Sequence, residues 1–110
     1  MASRLLTFFN TFTTDNQGQI PLTGVHSLDG FSKVNIEIAQ FPTTVPGVRA
    51  EVSMGKLTGT TVAQVVDSFP LPTRAPTIRT HDVVGPEFSV LLVGGPPNTA
   101  VGIQGWVYLH

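Results

Sequence analysis

Cysteine is absent from the sequence, and charged residues are scarce. Without a thiol, the chain can form no disulfide, no thiolate nucleophile and no cysteine-ligated zinc or iron–sulfur site. Asp, Glu, Lys and Arg make up 12 % of the residues, whereas an average soluble domain has about 25 %. The formal net charge is −1, so the sequence offers neither a basic field for nucleic acid nor an acidic tail.

Long hydrophobic runs are also missing. The most apolar stretch near the start, Leu5–Phe12, is interrupted by Thr7, Asn10 and Thr11, and no small-residue cleavage site follows it. No stretch approaches the ~18 apolar residues that cross a bilayer as a helix. The sequence therefore predicts neither a signal peptide nor membrane insertion, and the cytoplasm is the default location.

Val, Ile and Thr dominate what is present, with 33 of the 110 residues. These β-branched residues lose χ1 freedom in helices and pack well on pleated sheets. The chain also has 11 Gly and 9 Pro, spread at intervals typical of turns between short strands. The composition thus favours a β protein over a helical one.

Hydrophobic patterning predicts seven or eight strands. The clearest is Phe31–Phe41, where Val34, Ile36 and Ile38 alternate with polar residues, followed by Val48–Met54. The other candidates are Arg4–Thr14, Ile20–Val25, Thr60–Phe69, Thr77–Val84, Glu87–Val93 and Ala100–Leu109. The two clearest strands are expected to direct their apolar residues into a common interior.

Three segments carry further structural predictions. Pro21 lacks an N–H and therefore places Ile20–Val25 at a sheet edge. Thr60–Phe69 also fits a helical stripe, but its Val and Thr content favours a strand. The prolines of Leu71–Pro76 predict an extended connector. We predict one all-β domain over residues 1–110, an antiparallel two-sheet sandwich of jelly-roll or immunoglobulin-like kind without substantial helix.

Catalytic motifs are missing from the sequence. No serine lies in G-x-S-x-G, and Gly94-Gly95 matches no phosphate-binding loop. Glu37, Glu51 and Glu87 fit solvent-facing strand positions better than the paired carboxylates of a glycosidase. The sequence therefore predicts a protein that is not an enzyme and has no cofactor.

Metal ligation is predicted to be absent as well. His26 and Asp29 are three residues apart and His81 and Asp82 are adjacent, and these residue types bind zinc or iron. However, no H-x-H or H-x-x-H pattern occurs, and adjacent residues of a strand point to opposite faces. Asp15–Gly18 resembles the start of a calcium loop but lacks the later ligands.

Aromatic residues on the last strand form the candidate ligand site. Period two places Gln104, Trp106, Tyr108 and His110 on one face, about 7 Å apart in succession. A sugar ring could stack on Trp106 and Tyr108 while Gln104, His110 and Asn98 hydrogen-bond its hydroxyls. The competing interpretation buries this face against a second layer or another subunit, which the high average burial of Trp favours.

Several strands are apolar on both faces, although each strand of a lone sandwich needs only one dry face. With so few charges, self-association is the simplest source of the additional burial. Gly102 and Gly105 would leave room beside Trp106, for a sugar or for a closely packed second chain. The predicted interface residues are Leu5, Phe9, Phe12 and Trp106.

Two functions remain after these exclusions. The first is a non-enzymatic structural or assembly protein that forms a homo-oligomer, and the second is a carbohydrate-binding module. The predicted partner is a second copy of the chain, with carbohydrate as the alternative, and neither nucleic acid nor a membrane is expected.

Overall fold

The computed structural model describes residues 3–55, 63–71 and 78–110, and these residues form β-strands and no helix. The strands are β1 (Arg4–Thr13), β2 (Ile20–Pro21), β3 (His26–Ser27), β4 (Lys33–Gln40), β5 (Arg49–Gly55), β6 (Ala63–Pro70), β7 (Arg79–Asp82), β8 (Glu87–Val93) and β9 (Ala100–Leu109). A helix capable of crossing a membrane is not found among the described residues.

The predicted strands are present, with two differences in extent. Ile20–Val25 is replaced by β2 and β3, because a turn containing Gly24 at a φ of 64° interrupts the extended chain. Thr60–Phe69 is extended where the structure describes it, so its β-branched content outweighs its helical stripe. Residues 60–62 and most of the predicted proline connector, residues 72–76, lie outside the described residues.

The strands pair as one long hairpin that has been rolled up. The first sheet has the order β1-β9-β4-β7, and the second has the order β2-β8-β5-β6 with β3 also paired to β8. If β2 and β3 are counted as one interrupted strand, the first strand pairs with the eighth, the second with the seventh, the third with the sixth and the fourth with the fifth.

This winding distinguishes the two sandwich types that the sequence left open. A jelly roll contains eight strands in two Greek keys, whereas an immunoglobulin-like sandwich places strands A, B, E and D in one sheet and C, F and G in the other. Because β1 pairs with β9 and β4 pairs with β7 in one sheet, the chain is a jelly roll.

The core lies between the sheets and uses every second residue of the inner strands. Val34, Ile36 and Ile38 of β4 are at most 2 % exposed, and Val52 and Met54 of β5 are equally buried. The predicted common interior of these two strands is therefore confirmed. The inner strands β8 and β9 add Phe88, Val90, Leu92, Val101, Ile103, Val107 and Leu109.

Two buried polar side chains secure loops against this core. Gln40 donates to the carbonyls of Val45 and Leu71 at 3.2 Å each and accepts from the Val45 N–H at 2.7 Å. The hydroxyl of Thr14 accepts from the Thr99 N–H at 2.8 Å. Buried polar groups are normally satisfied in this way, so both residues have structural roles.

Candidate functional site

The outer face of the first sheet carries apolar side chains that the fold leaves uncovered. Along β1, side chains alternate between the two faces of the sheet. Leu6, Phe8 and Phe12 point toward the core and pack against it. Leu5 and Phe9 point away from the core and are 58 % and 72 % exposed. The apolar character of β1 on both faces therefore leaves two large side chains in solvent.

Strand β9 places two aromatic residues beside this part of β1. In the antiparallel register, Tyr108 lies opposite Leu5 and Trp106 lies opposite Thr7. These four residues line a shallow depression of about 320 Å³. Trp106 is half-buried, because β9 has a neighbouring strand on each side, whereas β1 is paired on one side alone within the part of the chain that the structure describes.

Phe41, which directly follows β4, extends the surface toward the other end of the sheet. Its ring is tilted against that of Phe9, with 6.0 Å between the centroids, and it is 36 % exposed. Together these residues form one outward-facing group. We term the set Leu5, Phe9, Phe41, Trp106 and Tyr108 the apolar surface.

Polar residues flank the apolar surface where the alternation predicted them. Tyr108 stacks on His110 with 4.9 Å between ring centroids and 16° between the ring planes. His110 Nε2 lies 3.4 Å from the side-chain oxygen of Asn35 on the neighbouring β4. Gln104 lines a second depression beside Trp106. The structure thus brings these predicted site residues to one face.

Two other predicted residues lie elsewhere. Asn98 precedes β9, and its N–H donates to the Asp15 carbonyl at 3.0 Å. The six steps from Ala100 to Trp106 span about 20 Å of strand, so Asn98 is remote from the aromatic rings. Phe12, predicted as an interface residue, is on the core side of β1 and does not contribute to the apolar surface.

The two glycines of β9 are positions where another strand's backbone approaches closely. A Cβ at Gly102 would lie 1.9 Å from the Phe41 carbonyl oxygen, and one at Gly105 would lie 2.0 Å from that of Glu37. Gly105 also has a φ of 153°, which side-chain-bearing residues rarely adopt. The space that a side chain would need at each glycine is therefore filled by the chain's own backbone.

Sequence reasoning missed an ionic cluster where β6 of one sheet approaches β7 of the other. Both carboxylate oxygens of Asp67 accept from Arg79, at 2.5 and 2.9 Å. The His81 Nε2 lies 3.0 Å from Asp67 Oδ2 without hydrogen-bond geometry. The Arg79 guanidinium carbon lies 4.5 Å from the centre of the Phe69 ring.

The cluster has a clear electrostatic effect. The hydrogen bond from Arg79 lowers the pKa of Asp67, against the opposing effect of burial, and the same pair raises the pKa of Arg79. An ionised carboxylate with both oxygens paired is poorly suited to act as a general base. The alternation of side chains in a strand predicts that Asp67 and Phe69 share a face of β6. Only the tertiary structure brings the Asp67 carboxylate to Arg79.

Two of the four residues considered as metal ligands have other partners. His81 and Asp82 lie on opposite faces of β7, and Asp82 pairs outward with Lys33. His26 Nε2 is 2.7 Å from a backbone carbonyl. Within residues 3–55, 63–71 and 78–110, no group of three or more His, Cys, Asp or Glu residues could hold a metal ion.

Comparison with known proteins shows the fold. No family model and no curated protein match the chain. Among solved structures, the chain is similar to that of the infectious bursal disease virus VP2 subviral particle, with a TM-score of 0.57 and 14 % identity over 97 % of this chain and 32 % of that one.

Two further structures of the same virus agree. T=1 particles derived from it match with a TM-score of 0.56 and 16 % identity over 98 % of this chain and 31 % of that one. The structure of the Gx strain matches with a TM-score of 0.53 and 14 % identity over 98 % of this chain and 31 % of that one. The chain thus spans about a third of the length of these chains, and it has the jelly-roll fold of viral capsid proteins.

Proposed function

We propose that this chain is a non-enzymatic structural module that assembles with copies of itself through the apolar surface. One observation carries the proposal: Leu5 and Phe9 are 58 % and 72 % exposed beside a half-buried Trp106. Interface cores are typically rich in aromatic residues and depleted of charge. The fold supports this function, since similar chains come from virus particles.

A second copy is the partner that fits best. A homo-oligomer with a two-fold axis uses the same patch on both subunits, so apolar residues of one copy meet apolar residues of the other. Polar Asn35, Glu37 and Gln104 border the apolar surface on the β9–β4 side, in the manner of an interface rim. The scarcity of charge in the whole chain is consistent with such coverage.

Carbohydrate binding is not carried forward as a second candidate. The comparisons give it no support, and Tyr108 already stacks on His110.

Light scattering over a concentration series from low micromolar upward tests the proposal. We expect a mass above that of the monomer. Phe9→Thr should weaken association at least about tenfold, equivalent to about 1.4 kcal/mol. A monomeric mass at every concentration would refute the proposal.

Val84→Thr is the matched control. Val84 is 70 % exposed, close to the 72 % of Phe9, but it lies between β7 and β8. Its substitution removes a similarly exposed apolar side chain and should leave association unchanged. Equal weakening by the two variants would contradict an interface at the apolar surface.

A further inference from the structure

The four sheet edges differ in how they are protected against pairing with another strand. Strand β7 has four residues and carries charged side chains, and β2 has two residues, one of them Pro21. In β6, Val66 is an extra bulged residue and Pro70 ends the strand. Short length, charge, proline and bulges are the usual devices that prevent edge-to-edge association.

Strand β1 has none of these devices within its length. It has ten residues, contains no proline and pairs with β9 over ten successive positions without a bulge. Its single charged residue, Arg4, is at its end. Long, regular and uncharged edges are templates for adding a strand, so β1 is the edge at which a partner is expected.

The hydrogen-bond pattern identifies the groups that β1 presents. The Thr14 N–H donates to the Thr99 carbonyl at 2.9 Å, so even-numbered residues continue this ladder toward β9. Odd-numbered residues then direct their N–H and C=O away from the sheet. These residues are Leu5, Thr7, Phe9, Thr11 and Thr13.

We infer that the free edge of β1 pairs antiparallel with β1 of a second copy, with Phe9 opposite the partner's Phe9. The two first sheets then form one continuous sheet across a two-fold axis. This inference rests on the proposed function and specifies how the copies meet. It adds backbone pairing to the contact of Phe9, a member of the apolar surface, with the partner's Phe9.

Symmetry and side-chain matching select this register. In a two-fold pair centred on Phe9, all five edge-directed residues face edge-directed residues, and five pairs with two bonds each give ten hydrogen bonds. A typical stable interface has about ten. A register centred on Phe8 would leave Thr13 without a partner residue in β1 and would set Arg4 opposite the partner's Phe12.

The register centred on Phe9 also covers the half-buried side of β1. On the core-facing side, Leu6 lies opposite the partner's Phe12, and both residues are partly buried in the single chain. On the outer side, Thr7 lies opposite the partner's Thr11. Arg4 falls opposite the partner's Thr14, so no like charges meet. Aromatic–aliphatic and Thr–Thr cross-strand pairs are favourable.

Disulfide trapping tests the register, because the natural chain has no cysteine. Thr7→Cys and Thr11→Cys proteins, one carrying a mass tag, are mixed and oxidised. Opposed residues in an antiparallel pair have Cα atoms about 5.5 Å apart, within disulfide range. We expect a cross-linked heterodimer in the mixture.

Each cysteine variant alone is the control for random collision. Thr7 and the partner's Thr7 are separated by four positions, about 13 Å along the strand, which exceeds disulfide reach. Equal cross-linking within the single variants and the mixture would overturn the inference.

Proline substitution tests the edge itself. Thr11→Pro removes an N–H that points away from the sheet, a position where proline is tolerated in an edge strand. We expect a folded protein with at least about tenfold weaker association. Thr80→Pro is the matched control, because Val83 N–H donates to Ser32 and the alternation directs the Thr80 N–H away from β4.

The outcomes separate this inference from the proposed function. An oligomer in light scattering without heterodimer cross-linking, or one that resists Thr11→Pro in a folded variant, overturns β1 pairing and leaves assembly through the apolar surface intact. A monomeric mass throughout overturns both. If Thr11→Pro fails to fold, the cysteine mixture alone decides, because Thr7 and Thr11 are exposed.

Discussion

The two open sides of the sandwich contain different chemistry. Where β6 approaches β7, the Asp67 carboxylate of one sheet accepts two hydrogen bonds from Arg79 of the other. On the opposite side, β1 presents Leu6, Phe8 and Phe12, which pack on the core and remain partly exposed. One side is thus joined by ion pairs within the chain, and the other ends in apolar side chains.

This difference shows which side is complete in a single chain. A partly buried ion pair is tolerated when its hydrogen bonds are satisfied, and the two oxygens of Asp67 are both paired. Half-buried phenylalanines gain further free energy only when something covers them. The β1 side is therefore where association can add stability, and the β6–β7 side is where it adds least.

The largest loss of stability is expected from a substitution that creates a cavity in the core between the two sheets. Ile36 is fully buried between the sheets, so Ile36→Ala should lower the free energy of unfolding by about 2–5 kcal/mol. Because Ile36 serves both sides, this loss should be the same at every protein concentration. Urea unfolding measures it, and a loss near zero would contradict the assigned core.

Asp67→Asn should weaken the β6–β7 side by about 1.5–3 kcal/mol, the range for hydrogen bonds to charged groups. The lowered pKa of Asp67 means that its contribution is present above the ordinary Asp value of 3.8 and is lost as the pH falls through the pKa of the folded state. Urea unfolding at neutral pH and below 3.8 should therefore show a smaller acid-induced loss in Asp67→Asn than in the natural chain.

Leu6→Ala tests whether a second copy stabilises the β1 side. Leu6 is half-buried, so its truncation should lower the stability of the dilute protein by about 1–2 kcal/mol. If a second copy covers β1, the loss should grow with protein concentration, because the oligomer loses an additional contact. Thermal unfolding over a dilution series checks this, with Ile36→Ala as the concentration-independent control.

Asp82→Asn should have the smallest effect. Asp82 pairs with Lys33 on the outer face of β7, and the side chains are 72 % and 47 % exposed. Solvent and salt screen such a pair, so the unfolding midpoint at neutral pH should match that of the natural chain. A loss of stability as large as that of Asp67→Asn would show that solvent exposure does not distinguish the contributions of the two ion pairs.

Period-two patterning was sufficient for much of the candidate site. The alternation in Ala100–Leu109 predicted that Gln104, Trp106, Tyr108 and His110 share a face, and the structure places them there. It did not predict the role of Gly105, because the nearby Glu37 carbonyl belongs to a strand distant in sequence. Local patterns carry no information about which strand is the neighbour.

Local patterning is enough to predict the all-β class, most strand positions and the core-facing residues, since β propensity and alternation are local properties of the chain. The rolled-hairpin order is not predictable in this way, because strand pairing depends on contacts between distant residues. That order places β1 at an edge, brings Asp67 to Arg79 and sets Leu5 beside Tyr108. The physical reason is that an edge, an inter-sheet ion pair and a continuous surface are relations between strands, which no single strand encodes.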